Sequence, residues 1–247
     1  MNPTLKYLIV PVCTLLLAVA QVAHAACNDR RSPGMDWSGC KKTNKMLNNS
    51  NFSGSRFDDA DLSLSDLVNS DFTGASLVKA ELTRVDATGS RFVNADLSKA
   101  AGYRAIFDRT TLLDSNLTKS EFLRANFKKA EIRNVDWSKS ELGRVDFSGA
   151  TLENVSFEFS NISRIELEGT RLDNVDFRGA YTYLSNFRGV DLSRVVNLGP
   201  IQLQFSCGDD KTLLPEGLSA PEEWPCTESV SYTHLRAHET SDDISYA

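Results

Sequence analysis

Phe57-Asp58-Asp59-Ala60-Asp61-Leu62-Ser63-Leu64-Ser65-Asp66-Leu67-Val68-Asn69-Ser70-Asp71-Phe72 decides the architecture of this 247-residue chain. A bulky apolar residue falls at 57, 62, 67 and 72, and two residues before each stands Ser55, Ala60, Ser65 or Ser70. Followed outward in both directions, the step of five runs from Leu47 to Leu192. Of its 30 positions, 27 are bulky and apolar; Ala87, Gly102 and Thr182 are the exceptions. From Ser50 to Val190 the position two before holds only Ala, Ser, Thr, Val or Ile. The other three residues of each five are mostly polar. A strand repeats every two residues and a helix every 3.6, so neither fits. A short fixed period that never slips predicts a solenoid, in which each repeat buries its apolar side only by stacking on its neighbours.

The spacing and alphabet, in Ala60-Asp61-Leu62-Ser63-Leu64, Ala95-Asp96-Leu97-Ser98-Lys99 and Ala125-Asn126-Phe127-Lys128-Lys129, resemble the pentapeptide-repeat family, summarised as A(D/N)LXX. The resemblance implies an all-β fold, a right-handed quadrilateral β-helix with four pentapeptides per coil. Columns of like residues at intervals of 20 support four sides independently. One column is Lys79, Lys99, Lys119 and Lys139. A second is Arg84, Arg104, Arg124, Arg144 and Arg164, and a third is Asn134, Asn154 and Asn174. At the strand spacing of about 4.8 Å, roughly seven and a half coils make a rod about 36 Å long. Gly54, Gly74, Gly149, Gly169, Gly179 and Gly189 occupy the fifth slot of a repeat, where the chain turns a corner.

The ends read differently. Lys6, the apolar run Tyr7 to Ala20 and Ala23-His24-Ala25 form a secretory signal with its cleavage site, so residues 1–25 are expected to leave and the run is short for a membrane span. Residues 26–46 are an N-terminal cap, 47–197 the β-helix and 198–229 a C-terminal cap. Pro33 and Pro200 bracket the array, with no proline between; a ring without an N–H would break the bonds between coils. Trp37 sits in phase as a lid for the first coil, and Pro200 opens a short helix. Residues 230–247 resemble the translation of a sequencing adapter, a real disordered tail being the alternative, and are set aside.

Four cysteines remain after the signal, two before the array and two after. In an exported chain they predict disulfides. Cys27–Cys40 with Cys207–Cys226 is the economical pairing, because the other two pairings bridge both ends of a rod. A zinc site, and acylation of Cys27 as a lipoprotein, are alternatives; no His accompanies the cysteines, and His24 fits an acylation site poorly.

Residues 26–229 hold no His. That removes Ser-His-Asp and Cys-His nucleophilic sites and His-ligated metals. No cofactor and no catalytic residue is expected. Carboxylates such as Asp61, Asp96, Asp146 and Asp176 recur at the outward position of the repeat and read as a solvated face. From Leu47 to Asn197 there are 19 basic and 22 acidic residues, too near neutrality to mimic a nucleic acid, and no nucleic-acid partner is expected. The family includes cytoplasmic members that resemble DNA and bind gyrase; the signal and the near-neutral rod oppose that function here.

The Lys and Arg columns fall on adjacent corners and form a stripe of about nine cations along roughly 20 Å at the strand spacing. One reading is a surface laced by salt bridges to Glu81, Glu121 and Glu141, which lie between the columns. A second is a contact for an anionic partner outside the cytoplasm: lipopolysaccharide, phospholipid head groups or an acidic polysaccharide. A third is a contact for a protein partner. The expected function is a non-enzymatic interaction or structural module, periplasmic or extracellular. Tyr103, Tyr181 and Tyr183, with Leu64, Leu184 and Phe159, fringe the same side.

Overall fold

The computed structural model describes residues 27–225; the export signal, Cys226 and residues 230–247 lie outside them. Parallel bridges join residues 20 apart along the array. One unbroken series runs Asp36, Arg56, Ser76, Asp96, Asn116, Asp136, Ser156, Asp176 and Val196. Each coil is a square of four walls. Wall I carries that series, and wall II carries Lys41, Asp61, Glu81, Ala101, Glu121, Glu141, Asn161 and Tyr181. Wall III runs from Met46 to Asn186. Wall IV contains five three-residue strands: β1 (Arg91–Val93), β2 (Thr111–Leu113), β3 (Glu131–Arg133), β4 (Thr151–Glu153) and β5 (Arg171–Asp173). They form one parallel sheet in chain order, Arg91 opposite Thr111, Thr111 opposite Glu131, and so on.

Backbone accounting explains the five-residue alphabet. In the repeat Ala60–Leu64, Asp61 N–H donates back to the Cys40 carbonyl, and Leu62 and Leu64 N–H donate forward to Glu81 and Thr83. Ser65 N–H closes the turn on Leu62 at 3.1 Å. One N–H in five is left, that of Ser63, and Asp61 Oδ1 accepts it at 3.0 Å. The same bond is made by Asp96 to Ser98, Asp146 to Ser148 and Asp176 to Arg178. The carboxylates that read as a solvated face therefore accept the one leftover donor of their own repeats, as Asx-turns do.

The two inward positions fill the square. The bulky residue is buried on every wall, and Phe72 stacks on Phe92 (4.8 Å), while Phe107, Phe127 and Phe147 form a continuous pile. Rings stacked at this offset gain more than area burial alone. The small residue two before it packs under the corner. At several Ser positions the buried hydroxyl is satisfied by the preceding coil: Ser70 Oγ donates to Leu47, Ser90 Oγ to Leu67 and Ser140 Oγ to Leu117. Gly102 has a packing reason. A Cβ there would lie 2.3 Å from the Phe122 ring, which occupies the space.

Both ends are closed by local devices. Trp37 is 3% exposed and packs on Phe52 and Phe57, and Cys27 is bonded to Cys40. Cys207 is also disulfide-bonded, and Cys226, the partner expected for it, lies outside the described residues. At the far end α1 (Pro200–Gln204) lies on the last coil. Its Gln202 side chain donates to the carbonyls of Phe177 and Ala180, and its Gln202 carbonyl accepts from Thr182 Oγ1. That explains a hydroxyl at a core position. Where the square ends, the bridges slip from 20 to Asn186–Cys207 and Asp191–Leu213.

Candidate interaction surface

Every corner is a turn whose third residue has positive φ, a conformation that Gly enters freely and other residues enter at a cost. The four corners are filled by four different chemistries. The corner between walls I and II holds Lys79, Lys99, Lys119 and Lys139, φ 58° to 60°. The next, between walls II and III, holds Arg84, Arg104, Arg124, Arg144 and Arg164, φ 55° to 62°. The third mixes Gly89, Gly149, Gly169 and Gly189 with Arg109 and Lys129. The fourth holds Asn94, Asp114, Asn134, Asn154 and Asn174. The predicted stripe is thus assembled: its nine cations line the two edges of wall II.

The salt-bridge reading of that stripe is corrected by the structure. Within it Lys79 alone pairs, with Asp59 at 3.7 Å. Among the described residues the other eight cations form no ion pair, whereas Arg56, Lys128, Arg133, Arg178 and Arg194 elsewhere on the rod do. Glu81, Glu121 and Glu141 stand on wall II but bind none of the stripe cations; Glu141 accepts from Asn161 Nδ2 instead. Glu81 is pushed above the usual carboxylate range by burial against the wall and by the charges of Asp61 and Glu121. Arg104 lies over the Tyr103 ring at 5.2 Å, a cation–π contact.

The fringe separates into two parts. Tyr103 and Leu123 stand midway along wall II, each a little over a third exposed. Tyr181 and Tyr183 stack at 5.9 Å, and Tyr183 meets Phe205 beyond α1. Those two belong to the C-terminal cap.

A cavity that the sequence did not announce opens at the N-terminal end. It measures about 530 Å³ and is lined by Arg30, Arg31, Trp37, Lys42, Lys45 and Leu47 among others. Lys42 Nζ sits 3.8 Å over the Trp37 ring. Burial, then the neighbouring Lys45, lowers its pKa. Among the described residues no group of His, Cys, Asp and Glu has the arrangement of a metal site, and no helix is long and apolar enough to cross a membrane.

The family model for pentapeptide repeats matches eight copies, over residues 46–74, 65–100, 140–179 and 160–196. No curated protein matches the chain significantly in sequence. Among solved structures, a trypsin-treated variant of QnrB1, a plasmid-mediated fluoroquinolone resistance protein, is 14% identical with a TM-score of 0.52. That match covers 83% of this chain and 97% of the other. HetL, a pentapeptide repeat protein involved in heterocyst differentiation regulation from the cyanobacterium Nostoc sp. strain PCC 7120, is 20% identical with a TM-score of 0.43. It covers 77% of this chain and 87% of its own. Identities this low speak to the fold alone. With the five-residue register, the bridges at 20-residue intervals and the matched repeats in agreement, the chain belongs to the pentapeptide-repeat family.

Proposed function

We propose that this protein is a non-enzymatic exported rod that contacts an anionic partner of the cell envelope through the Lys and Arg corners of wall II. One observation carries the reading. Among the described residues, eight of the nine stripe cations have no ion pair, although carboxylates stand on the same wall. Stacked like charges repel, and a surface serving only solubility would interleave the signs. Family members are generally structural or interaction proteins, and the absence of His from residues 26–229 supports a role without catalysis. The gyrase-binding alternative is disfavoured by the sign of the stripe, since a mimic of phosphate needs negative charge at regular spacing.

The test is binding of the purified protein to anionic and neutral lipid vesicles and to lipopolysaccharide, at low and physiological salt. A Lys99→Glu, Lys119→Glu, Arg124→Glu, Arg144→Glu variant is run beside it. Salt-sensitive binding that the variant loses is the expected result. Absence of binding by either form returns the stripe to a solvated surface and redirects the search to a protein partner. Export is checked separately: a processed chain beginning at Ala26 in the periplasmic or extracellular fraction is expected.

A further inference from the structure

On walls I and III the leftover N–H of most repeats is taken by an outward Asp or Asn, and wall II departs from that rule. The rule holds at Asp61, which accepts from Ser63, and at Asn161, which accepts from Ser163. Between them stand Glu81, Ala101, Glu121 and Glu141. In these four consecutive coils the N–H groups of Thr83, Tyr103, Leu123 and Gly143 have no acceptor among the described residues. Outward side chains accept the equivalent N–H above and below, so these N–H groups face away from the core. Tyr103 and Leu123 are exposed and Thr83 is half-buried, whereas Gly143 is buried with Leu123 and Ser163 against it. On walls I and III such gaps are isolated, as at Asp58 or Asp108. On wall IV the slot holds Arg91, Thr111, Glu131, Thr151 and Arg171, and among the described residues no side chain accepts from Val93, Leu113, Arg133, Glu153 or Asp173 either. What sets wall II apart is therefore the Arg corner beside its donors.

The four free donors adjoin the Arg corner. Thr83 precedes Arg84, Tyr103 precedes Arg104, Leu123 precedes Arg124 and Gly143 precedes Arg144. The column they form carries no charge from Thr43 to Tyr183. Wall II is therefore asymmetric. Its Lys edge borders the glutamates, and its Arg edge borders a neutral strip of unpaired donors with Tyr103 and Leu123 exposed. A planar anionic surface laid on the whole wall would face Glu81, Glu121 and Glu141. A narrow ligand laid along the Arg edge would not.

We propose that a linear polyanion with ring units, of the acidic-polysaccharide type, lies lengthwise along this edge, its acidic groups held by the stacked guanidiniums and outward turn N–H groups. The proposal rests on the anionic-partner reading above and narrows it. Arg forks carboxylates through two parallel bonds, and the turn N–H beside each guanidinium adds at most one further donor per coil. Five arginines at about 4.8 Å per coil span about 19 Å, enough for several sugar residues, whose C–H faces would rest against Tyr103 and Leu123.

The probe is polygalacturonate, a linear polyuronate, with a neutral linear glucan and phosphatidylglycerol vesicles as comparisons. Two variants separate the edges: Arg104→Asn, Arg124→Asn, Arg144→Asn, and Lys99→Asn, Lys119→Asn, Lys139→Asn. Asn is chosen because it already occupies another corner at the same positive φ, so both variants keep the turn. Expected are salt-sensitive binding of polygalacturonate, no binding of the glucan, a loss of about tenfold or more in the Arg variant and only a few-fold in the Lys variant. Equal losses in the two variants overturn the assignment to the Arg edge. Binding to vesicles without binding to polygalacturonate overturns the linear ligand and leaves the anionic-partner reading standing. Failure to bind either probe removes both.

Discussion

The Asn corner and the Arg corner lie diagonally opposite on the same square, ten residues apart in every coil, and share one backbone conformation. Their side chains are used in opposite ways. Asn134 Nδ2 donates to Asp114, Asn154 to Asn134 and Asn174 to Asn154, at 2.8 to 3.0 Å, a ladder running along the rod. Arg84 to Arg164 make no such chain and no ion pair among the described residues. Asn is also among the few non-glycine residues that tolerate positive φ, and Arg is not. One corner joins coil to coil. The other holds strained turns and like charges with no ion pair among the described residues. Where a regular fold departs from its own best solution at five successive levels, the departure points to a contact rather than to packing.

Several experiments would break or sharpen this contrast. The largest effect is expected beneath both corners. Phe127 is fully buried between Phe107 and Phe147, and Phe127→Asp buries an unpaired charge. Circular dichroism should show no cooperative melt; a transition within a few degrees of the wild type would mean that the inward register is wrong.

Next is Asn154→Ala, which removes two ladder bonds and places Ala at positive φ. A loss of about 2–3 kcal/mol is expected by denaturant unfolding. Arg124→Ala carries neither penalty, because Arg already bears the cost of positive φ, and is expected to be near neutral. If the two substitutions prove equally harmful, the ladder contributes nothing and the corners are energetically alike.

Smaller, and opposite in sign, is the effect of the Arg104→Asn, Arg124→Asn, Arg144→Asn variant on stability. Relief of stacked repulsion and gain of ladder-forming side chains should raise the melting temperature by a few degrees at low salt. The electrostatic part of that gain should shrink as salt is added. A fall in stability would show that the arginines hold the corner through contacts of their own.

The smallest effect concerns Glu81. Its pKa is raised in the folded protein, so the folded state binds the proton more tightly than the unfolded chain. The associated stability is present below the unfolded pKa and is lost as pH rises through the folded value. Glu81→Gln should accordingly stabilise slightly at pH 7 and make no difference once Glu81 is protonated. Thermal melts across that range check the sign, and a destabilising effect at neutral pH would contradict it.

The period of five, the four sides, the corner slots and the helix after Gly199 were all legible in the sequence, because each depends on which residues are apolar, small or imino. The functions of the polar positions were harder to read. Asp61 and Glu81 occupy the same slot and both look like solvent-facing carboxylates. Only the backbone ledger of the coil shows that one N–H in five lacks a partner, and that Asp61 accepts it where Glu81 does not. The missing salt bridges of the stripe were hidden for a similar reason. Sequence proximity, as in Lys119-Ser120-Glu121-Phe122-Leu123-Arg124, suggested pairing, and that proximity runs along a wall whose edges keep the cations out of the glutamates' reach. Thr182 looked like a defect until Gln202 was placed above it.

The interior repeats every five residues, and the exterior every twenty. Deleting one pentapeptide, such as 110–114, would leave the apolar register continuous on both sides of the cut. It would also turn everything downstream by a quarter revolution, so that Arg124, Arg144 and Arg164 would no longer stand below Arg84 and Arg104. Deleting twenty would shorten the rod and leave each column straight. Indels in this chain therefore come in two grades, one neutral to the exterior pattern and one that scrambles it while sparing the core.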